Sequence, residues 1–256
     1  MKKQTVFLLL LVLVFSFACQ FLAPAREGMI INNCADIVSA VGEIQSGIAP
    51  QHLIDTGVKR GDEFDVNGYF TVLTNLSMQG GYLLDYVYIS ESLGGSPLLY
   101  ARPESQAPYA SMEDVPENTQ LPDFREYLEV EDVKEGYFEY VVLNTMANQF
   151  YLDWHALYND TEIVCNSDEV HAIITDISDG SFGNALDLAG QVKARAMKNI
   201  EPGVQLTGDN AIVEVIIFTK WGGFYRQAYT ISRSFPHTII DVESENIVPY
   251  DCGIAF

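Results

Sequence analysis

The chain has 256 residues, with 35 acidic side chains against 14 Lys and Arg, so its formal net charge is −21. This excess of negative charge excludes a nucleic-acid-binding protein, because phosphates require a basic surface, and it argues against charge-driven adhesion to anionic lipids. Hydrophobic residues make up 48% of the chain, which is typical of a globular protein that buries a sizeable core in one large domain or two small ones.

The N-terminus has the three parts of a secretory signal peptide. A basic start over residues 1–3 is followed by an apolar run over residues 6–17 and then by the small residue Ala18. This order predicts export, with residues 1–18 as the signal peptide. The apolar run is shorter than the roughly 20 residues that span a bilayer comfortably.

Residues Ser16-Phe17-Ala18-Cys19 resemble the lipobox of bacterial lipoproteins. In that family the cysteine is lipidated and becomes the new N-terminus. The resemblance therefore implies a lipid on Cys19 and a position on the outer face of a bacterial membrane, where stable anchoring needs more than one acyl chain. Two alternatives stay open. One is simple secretion after cleavage behind residues 16–18 or 23–25, and the other is an uncleaved membrane anchor.

After a tether over residues 19–33, the sequence predicts an α+β fold with mainly antiparallel sheets, packed helices and two lobes. The first lobe, residues 34–165, is rich in strand patterns and begins with a helix that Asn33 caps. Four prolines within residues 101–123 predict a long loop. The predicted elements of this lobe are, in chain order, the helix at 35–45, a helical turn at 50–55, and strands at 69–76, 82–89, 137–143, 150–157 and 161–165.

The second lobe, residues 166–256, is predicted to have two helices, the first capped by Ser167, followed by a hairpin and a last strand. Its elements are helices at 168–177 and 184–200 and strands at 211–219, 224–232 and 237–243. The sequences at 206–215 and 238–243 resemble the α+β roll of NTF2-like and cystatin-like proteins. The resemblance implies a curved sheet against helices with a pocket between them, and it implies no particular reaction.

Three cysteines follow Cys19 in the chain, namely Cys34, Cys165 and Cys252. In an oxidising compartment two of them are expected to pair and one to stay free. The sequence leaves the three possible pairings open. A thiol nucleophile at Cys165 with His171 as its base is a second interpretation, but a structural cysteine is favoured because exported enzymes seldom leave a catalytic thiol unpaired.

The predicted strand at 82–89 carries a row of tyrosines, because alternate residues of a strand share a face. The members of that face are Tyr82, Leu84, Tyr86 and Tyr88. The other face is also mostly apolar, which favours a central strand packed on both sides. An exposed row would instead offer Tyr82, Tyr86 and Tyr88 as ligand-binding residues that stack on sugars or peptides.

The candidate acid–base pair is Asp153 with His155, which are expected on one face of the strand at 150–157. No G-x-S-x-G, H-E-x-x-H or phosphate-binding glycine motif accompanies it. Residues 63–68 place oxygen ligands at alternate positions, as an EF-hand loop begins, but the twelfth position is Thr74 and not a carboxylate. With its four histidines scattered, the sequence therefore predicts no metal site and no cofactor.

Together these features favour a noncatalytic envelope lipoprotein that acts as a binding or interaction module. The expected partners are a membrane, through the N-terminal lipid, and a protein or small-molecule ligand. One alternative is an extracytoplasmic hydrolase or isomerase with a pocket in the roll, using Asp153 with His155, or His171. Another is a structural scaffold without a ligand.

Overall fold

The computed structural model describes residues 28–91, 94–158, 161–178 and 183–254, so the predicted signal peptide and Cys19 lie outside the described residues. From Ile31 onward the chain forms one compact unit of helices and antiparallel strands, which confirms the predicted α+β class. The helices are α1 (Cys34–Gln45), α2 (Gln51–Thr56), α3 (Lys134–Met146), α4 (Ser167–Ser178) and α5 (Leu188–Arg195). The strands are β1 (Leu76–Met78), β2 (Tyr82–Glu91), β3 (Gly94–Pro103), β4 (Leu128–Val130), β5 (Asp153–Trp154), β6 (Thr161–Val164), β7 (Gly203–Thr207), β8 (Asn210–Thr219), β9 (Gly223–Ser232) and β10 (Ile239–Pro249).

The largest sheet is built around β8, with the strand order β10–β9–β8–β6 and with β7 also paired to β8. Strands β8 and β9 form the predicted hairpin, from Asn210 opposite Ser232 to Thr219 opposite Gly223. Gly223 has a φ of +87°, a left-handed conformation that glycine adopts without steric cost. The other edge of β8 pairs with β7 over its first half and with β6 over its second half.

Helix α3 lies at the centre of the core, and the strand predicted at 137–143 is wrong. Nine of the 13 residues of α3 are buried, so the helix is apolar on nearly every side and has no polar stripe. An apolar run of this kind has no period that distinguishes a helix from a strand. The helix contacts β7 and β8 as well as α1.

The second sheet is formed by β2 and β3, which pair over ten residues, and by β5, which pairs with the start of β3. Strand β3 escapes prediction because it begins with Gly94-Gly95-Ser96-Pro97, which are turn-forming residues. Beyond Pro103, the proline-rich segment is irregular around a short 3-10 turn at Met112–Asp114.

Two strands predicted in the first lobe are corrected. The segment 69–76 begins inside a 3-10 helix, Val66–Thr71, because the Asp65 carboxylate accepts a hydrogen bond from the Asn67 N–H and caps a turn there. The segment 150–157 contains only the two residues of β5 and then a 3-10 turn, His155–Tyr158.

Helices α4 and α5 cover the face of the large sheet that is opposite α3, and they form a second hydrophobic core with that face. Asn166 caps α4 in place of Ser167, because its side-chain oxygen accepts hydrogen bonds from the N–H groups of Asp168 and Glu169. The helix predicted at 184–200 is shorter than expected. Its Leu188 and Val192 side chains do not join the core, because they are 76% and 60% exposed.

The main core crosses the boundary predicted at residues 165–166, because it joins α1 and α3 to the inner face of β8 and β9. A disulfide between Cys34 and Cys165, with 5.6 Å between the Cα atoms, ties α1 to the end of β6. Cys252 is buried and is the free cysteine within the described ranges. No helix in the described part of the chain is both long enough and apolar enough to cross a membrane.

Candidate ligand-binding cavity

The tyrosines of β2 are core residues rather than an exposed binding row. Tyr86 is 3% and Tyr88 is 1% exposed, and the Tyr88 hydroxyl donates to the Tyr151 carbonyl oxygen at 2.7 Å. Tyr82 is half-buried and packs its ring 4.2 Å from that of Tyr127. Stacking on a sugar or peptide needs an open ring face, so this row does not supply one, although Tyr86 contributes to a cavity described below.

Asp153 and His155 do not share a strand face. The strand ends at Trp154, whose φ is +47°, and His155 begins the following 3-10 turn. The alternation that would place both side chains on one face therefore stops between them. The Trp154 ring is 54% exposed and lies 4.2 Å from the His155 ring. His171 is an exposed residue of α4.

A cavity of about 500 Å³, which we call the charged cavity, opens beside β2 and β3. Its walls come from three segments, namely residues 59–67, residues 84–86 with Arg102, and residues 108–110. The pairing of β2 with β3 builds one wall, because Asp85 stands opposite Tyr100 and diagonal to Arg102, within reach for a long side chain.

Asp85 is the centre of a buried ionic cluster in this wall. Its Oδ1 accepts a hydrogen bond from Lys59 Nζ at 2.7 Å, and its Oδ2 accepts one from Arg102 Nε at 2.6 Å. The three side chains are only 10%, 10% and 13% exposed for Asp85, Lys59 and Arg102. The Tyr86 N–H and the Tyr100 hydroxyl complete the contacts of the carboxylate. Two buried cations therefore share one carboxylate.

The basic side chains of the charged cavity keep unused hydrogen-bond donors. Lys59 Nζ uses two of its three N–H groups, on Asp85 and on the Tyr86 carbonyl oxygen. Arg102 uses Nε and Nη1, the latter on the Pro103 and Gln106 carbonyl oxygens, and no described residue accepts from its Nη2. The Arg60 side chain is exposed at the cavity wall, and within the described ranges its guanidinium makes no hydrogen bond. These donors belong to residues that line one cavity, and they can bind an anionic group.

The acidic side chains on the cavity wall are already engaged. Burial alone would raise the pKa of Glu63, but hydrogen bonds from the Arg60 N–H, His52 and the Gly61 N–H lower it to about 2. Asp65 accepts from the backbone and side-chain amides of Asn67. Because these contacts occupy most of the carboxylate oxygens, the free hydrogen-bonding capacity of the cavity consists mainly of donors.

Tyr86 lies in the wall of the charged cavity. Its hydroxyl is buried and has no hydrogen-bond partner among the described residues. Burial, and then the negative charge of Glu63, raise the pKa of this hydroxyl well above its ordinary value of 10, so it stays protonated. The Lys59 ammonium lies over the ring, 4.4 Å from its centroid, an arrangement that holds both side chains in place.

A second cavity, which we call the apolar groove, has a volume of about 490 Å³ and lies beside residues 97–99 of β3. Its apolar lining includes Leu98, Met112, Leu121 and Phe124, of which Leu98 is 41% and Met112 45% exposed. The charged residues in its lining are Arg125 and Asp123, which form an ion pair with each other. This groove has fewer converging polar groups than the charged cavity and is the weaker candidate for a specific site.

Sequence reasoning missed the cluster of Lys59, Asp85 and Arg102, although one signal was visible. Asp85 lies on a strand face otherwise made of Leu83, Val87 and Ile89, and a carboxylate on such a face needs a buried partner. The identity of the partners was hidden, because Lys59 comes from an irregular segment and Arg102 from a strand that was not predicted.

Comparisons with known protein families, with curated proteins and with solved structures give no significant match. The function is therefore argued from the geometry of the charged cavity.

Proposed function

We propose that this chain is an exported, noncatalytic binding protein, held on the outer face of a bacterial membrane by a lipid on Cys19, that binds a small ligand carrying a carboxylate or phosphate group. The observation that carries the binding proposal is the set of unused N–H donors on Lys59, Arg60 and Arg102 around one cavity. Charge-assisted hydrogen bonds to an anion would use them. Asp65 stands on the same wall and can face an uncharged or basic part of the ligand.

Membrane anchoring through Cys19 is tested by detergent phase separation and by the intact mass of the mature protein. Wild-type protein is expected in the detergent phase after phase separation, and its intact mass is expected to exceed that of residues 19–256 by the mass of the lipid. Cys19→Ala should move the protein to the aqueous phase. A wild-type mature chain that begins at Arg26 without a lipid would contradict the anchor.

Ligand binding is tested by calorimetric titration with phosphate, succinate and glucose at constant ionic strength. We expect phosphate or succinate to bind with one site per chain, and glucose to show no binding. Arg60→Gln should weaken binding of the anion by roughly 10- to 150-fold, because one charge-assisted contact contributes about 1.5–3 kcal/mol.

Arg195→Gln is the matched control, because Arg195 is an exposed arginine on α5 that does not line the charged cavity. This variant should bind the anion as the wild type does. Equal loss in both variants would indicate attraction by overall charge and not a site. Absence of binding for every anion tested would overturn the proposed ligand class.

A further inference from the structure

Three potential metal ligands lie close together beside helix α2. The side chains of His52, Asp62 and Glu63 each bring one ligand atom into a group in which all the atoms lie within 4.8 Å of one another. His52 comes from the first turn of α2, and its Nε2 lies 2.9 Å from Glu63 Oε1. The two acidic residues follow Gly61, whose φ is +94°.

Glu63 is fixed in place as a ligand would be. Its Oε1 accepts a hydrogen bond from the Arg60 N–H at 2.6 Å, and its Oε2 accepts one from the Gly61 N–H at 2.8 Å. The side chain is only 3% exposed. Within the described residues, the His52 imidazole is the only basic side chain within 4 Å of this carboxylate. Its Oε2 accepts one hydrogen bond, so this oxygen keeps a lone pair that a bound cation can use.

We infer that His52, Asp62 and Glu63 bind one divalent transition-metal ion of the zinc class. Zinc takes imidazole nitrogen at about 2.0–2.1 Å and carboxylate oxygen at about 2.0–2.2 Å, which places neighbouring ligand atoms roughly 3–3.5 Å apart. The His52–Glu63 pair is already near that spacing, and the exposed Asp62 side chain is free to close the remaining distance. Calcium and magnesium prefer sets of oxygen ligands, so the imidazole favours zinc.

This site differs from the incomplete EF-hand pattern in the sequence. The residues 63–68 that resemble the start of an EF-hand loop contribute Glu63 alone, while His52 comes from eleven residues earlier in the chain. Glu63 also borders the charged cavity, but the metal site does not depend on an anion bound there. It therefore stands apart from the proposed function.

The inference is tested by calorimetric titration of the full chain with zinc chloride, without added anion ligand. Wild-type protein is expected to bind one zinc ion per chain. His52→Ala should weaken zinc binding at least tenfold, and a tenfold excess of calcium should not displace the zinc. His171→Ala is the matched control, because His171 is exposed on α4 and is not a member of this group, and it should bind zinc as the wild type does.

Asp62→Asn provides a second variant in case His52→Ala fails to fold. Asp62 is exposed, so this change should leave the melting temperature of the metal-free protein unchanged and should still weaken zinc binding. The inference is overturned if wild-type protein does not bind zinc, if His52→Ala or Asp62→Asn binds it as tightly as the wild type, if calcium displaces it, or if His171→Ala shows the same loss.

Discussion

Asp85 binds two basic side chains in the wall of the charged cavity. A second carboxylate–arginine ion pair, Asp123 with Arg125, lies on the surface and serves as a comparison. The carboxylate of Asp85 contacts Lys59 and Arg102 where all three side chains are about nine-tenths buried. In contrast, the side chains of Asp123 and Arg125 are 36% and 45% exposed. The two sites therefore differ in burial while both contain a carboxylate against an arginine.

Asp85→Asn is expected to lower the free energy of unfolding by about 3–5 kcal/mol, because it leaves two buried cations without a counter-charge. Asp123→Asn is expected to lower it by about 1 kcal/mol or less, because water screens an exposed pair. Urea unfolding of both variants measures the two values. Similar losses in the two variants would show that the buried cluster has no special role in stability.

Glu139 is a further buried acid, and its contribution to stability depends on pH. Burial raises the pKa of its carboxyl group, and hydrogen bonds from Asn75 oppose that rise only in part. The folded protein therefore holds this proton more tightly than the unfolded chain. As a result, Glu139 makes its full contribution to stability when the pH is below 4.5, the ordinary pKa of a glutamate. This contribution is lost as the pH rises through the raised pKa of the folded state.

Glu139→Gln keeps a neutral side chain at every pH. We expect the free energy of unfolding of this variant to increase relative to that of the wild type as pH rises from 4 to 8. Urea unfolding at each pH measures this difference. Glu129→Gln, at an exposed position of β4, is the control and should follow the wild-type profile. A difference between Glu139→Gln and wild type that stays constant with pH would contradict the raised pKa.

At the scale of elements, prediction succeeded where one face of an element is polar. Strand β9 and helix α4 have such faces, and their periods were readable from the sequence. Helix α3 has none, because it is surrounded by the core. Strand β3 begins with residues that usually form turns, and only its pairing with β2 makes it a strand. Both errors have the same cause, since tertiary contacts and not local sequence decide these elements.

Two helical glycines should respond to alanine in opposite directions. A Cβ on Gly42 of α1 would meet nothing within 4 Å, whereas a Cβ on Gly136 of α3 would overlap the Glu131 carbonyl oxygen. Gly42→Ala is expected to stabilise the protein by roughly 0.5–1 kcal/mol, because alanine is the better helix former. Gly136→Ala should destabilise it by roughly 1–3 kcal/mol through overpacking.

Thermal and urea unfolding of the two variants measure these changes. If both glycine variants are stabilised, the close approach of α3 to the Glu131 backbone is not present in solution.

At the scale of the whole molecule, the disulfide joins parts of the chain 131 residues apart. The sequence predicted that two of three cysteines would pair but left the pairing open, because loop closure depends on where α1 and β6 meet in space. Their meeting follows from the shared core, in which α1 packs against α3 while β6 extends the large sheet. Chain order alone suggested two lobes, and the packing around α3 joins them.

Removing the disulfide with Cys34→Ala and Cys165→Ala should lower the unfolding free energy by about 2–5 kcal/mol, because a long loop gains entropy in the unfolded chain. Reductant should have a similar effect on the wild type and on Cys252→Ala, but no effect on the double variant. Urea unfolding with and without reductant measures this. Stability of the wild type that is unaffected by reductant would contradict the Cys34–Cys165 bond.

The charged cavity is the central claim for function, and amide NMR titration with phosphate and succinate tests it most directly. We predict chemical-shift changes that saturate and cluster at residues 59–67, 84–86, 102 and 108–110, which line the charged cavity. Changes centred instead on residues 97–99, 119–125 and 144–148, which line the apolar groove, would contradict the account. Changes that fail to saturate, or that spread over the whole surface, would contradict it as well.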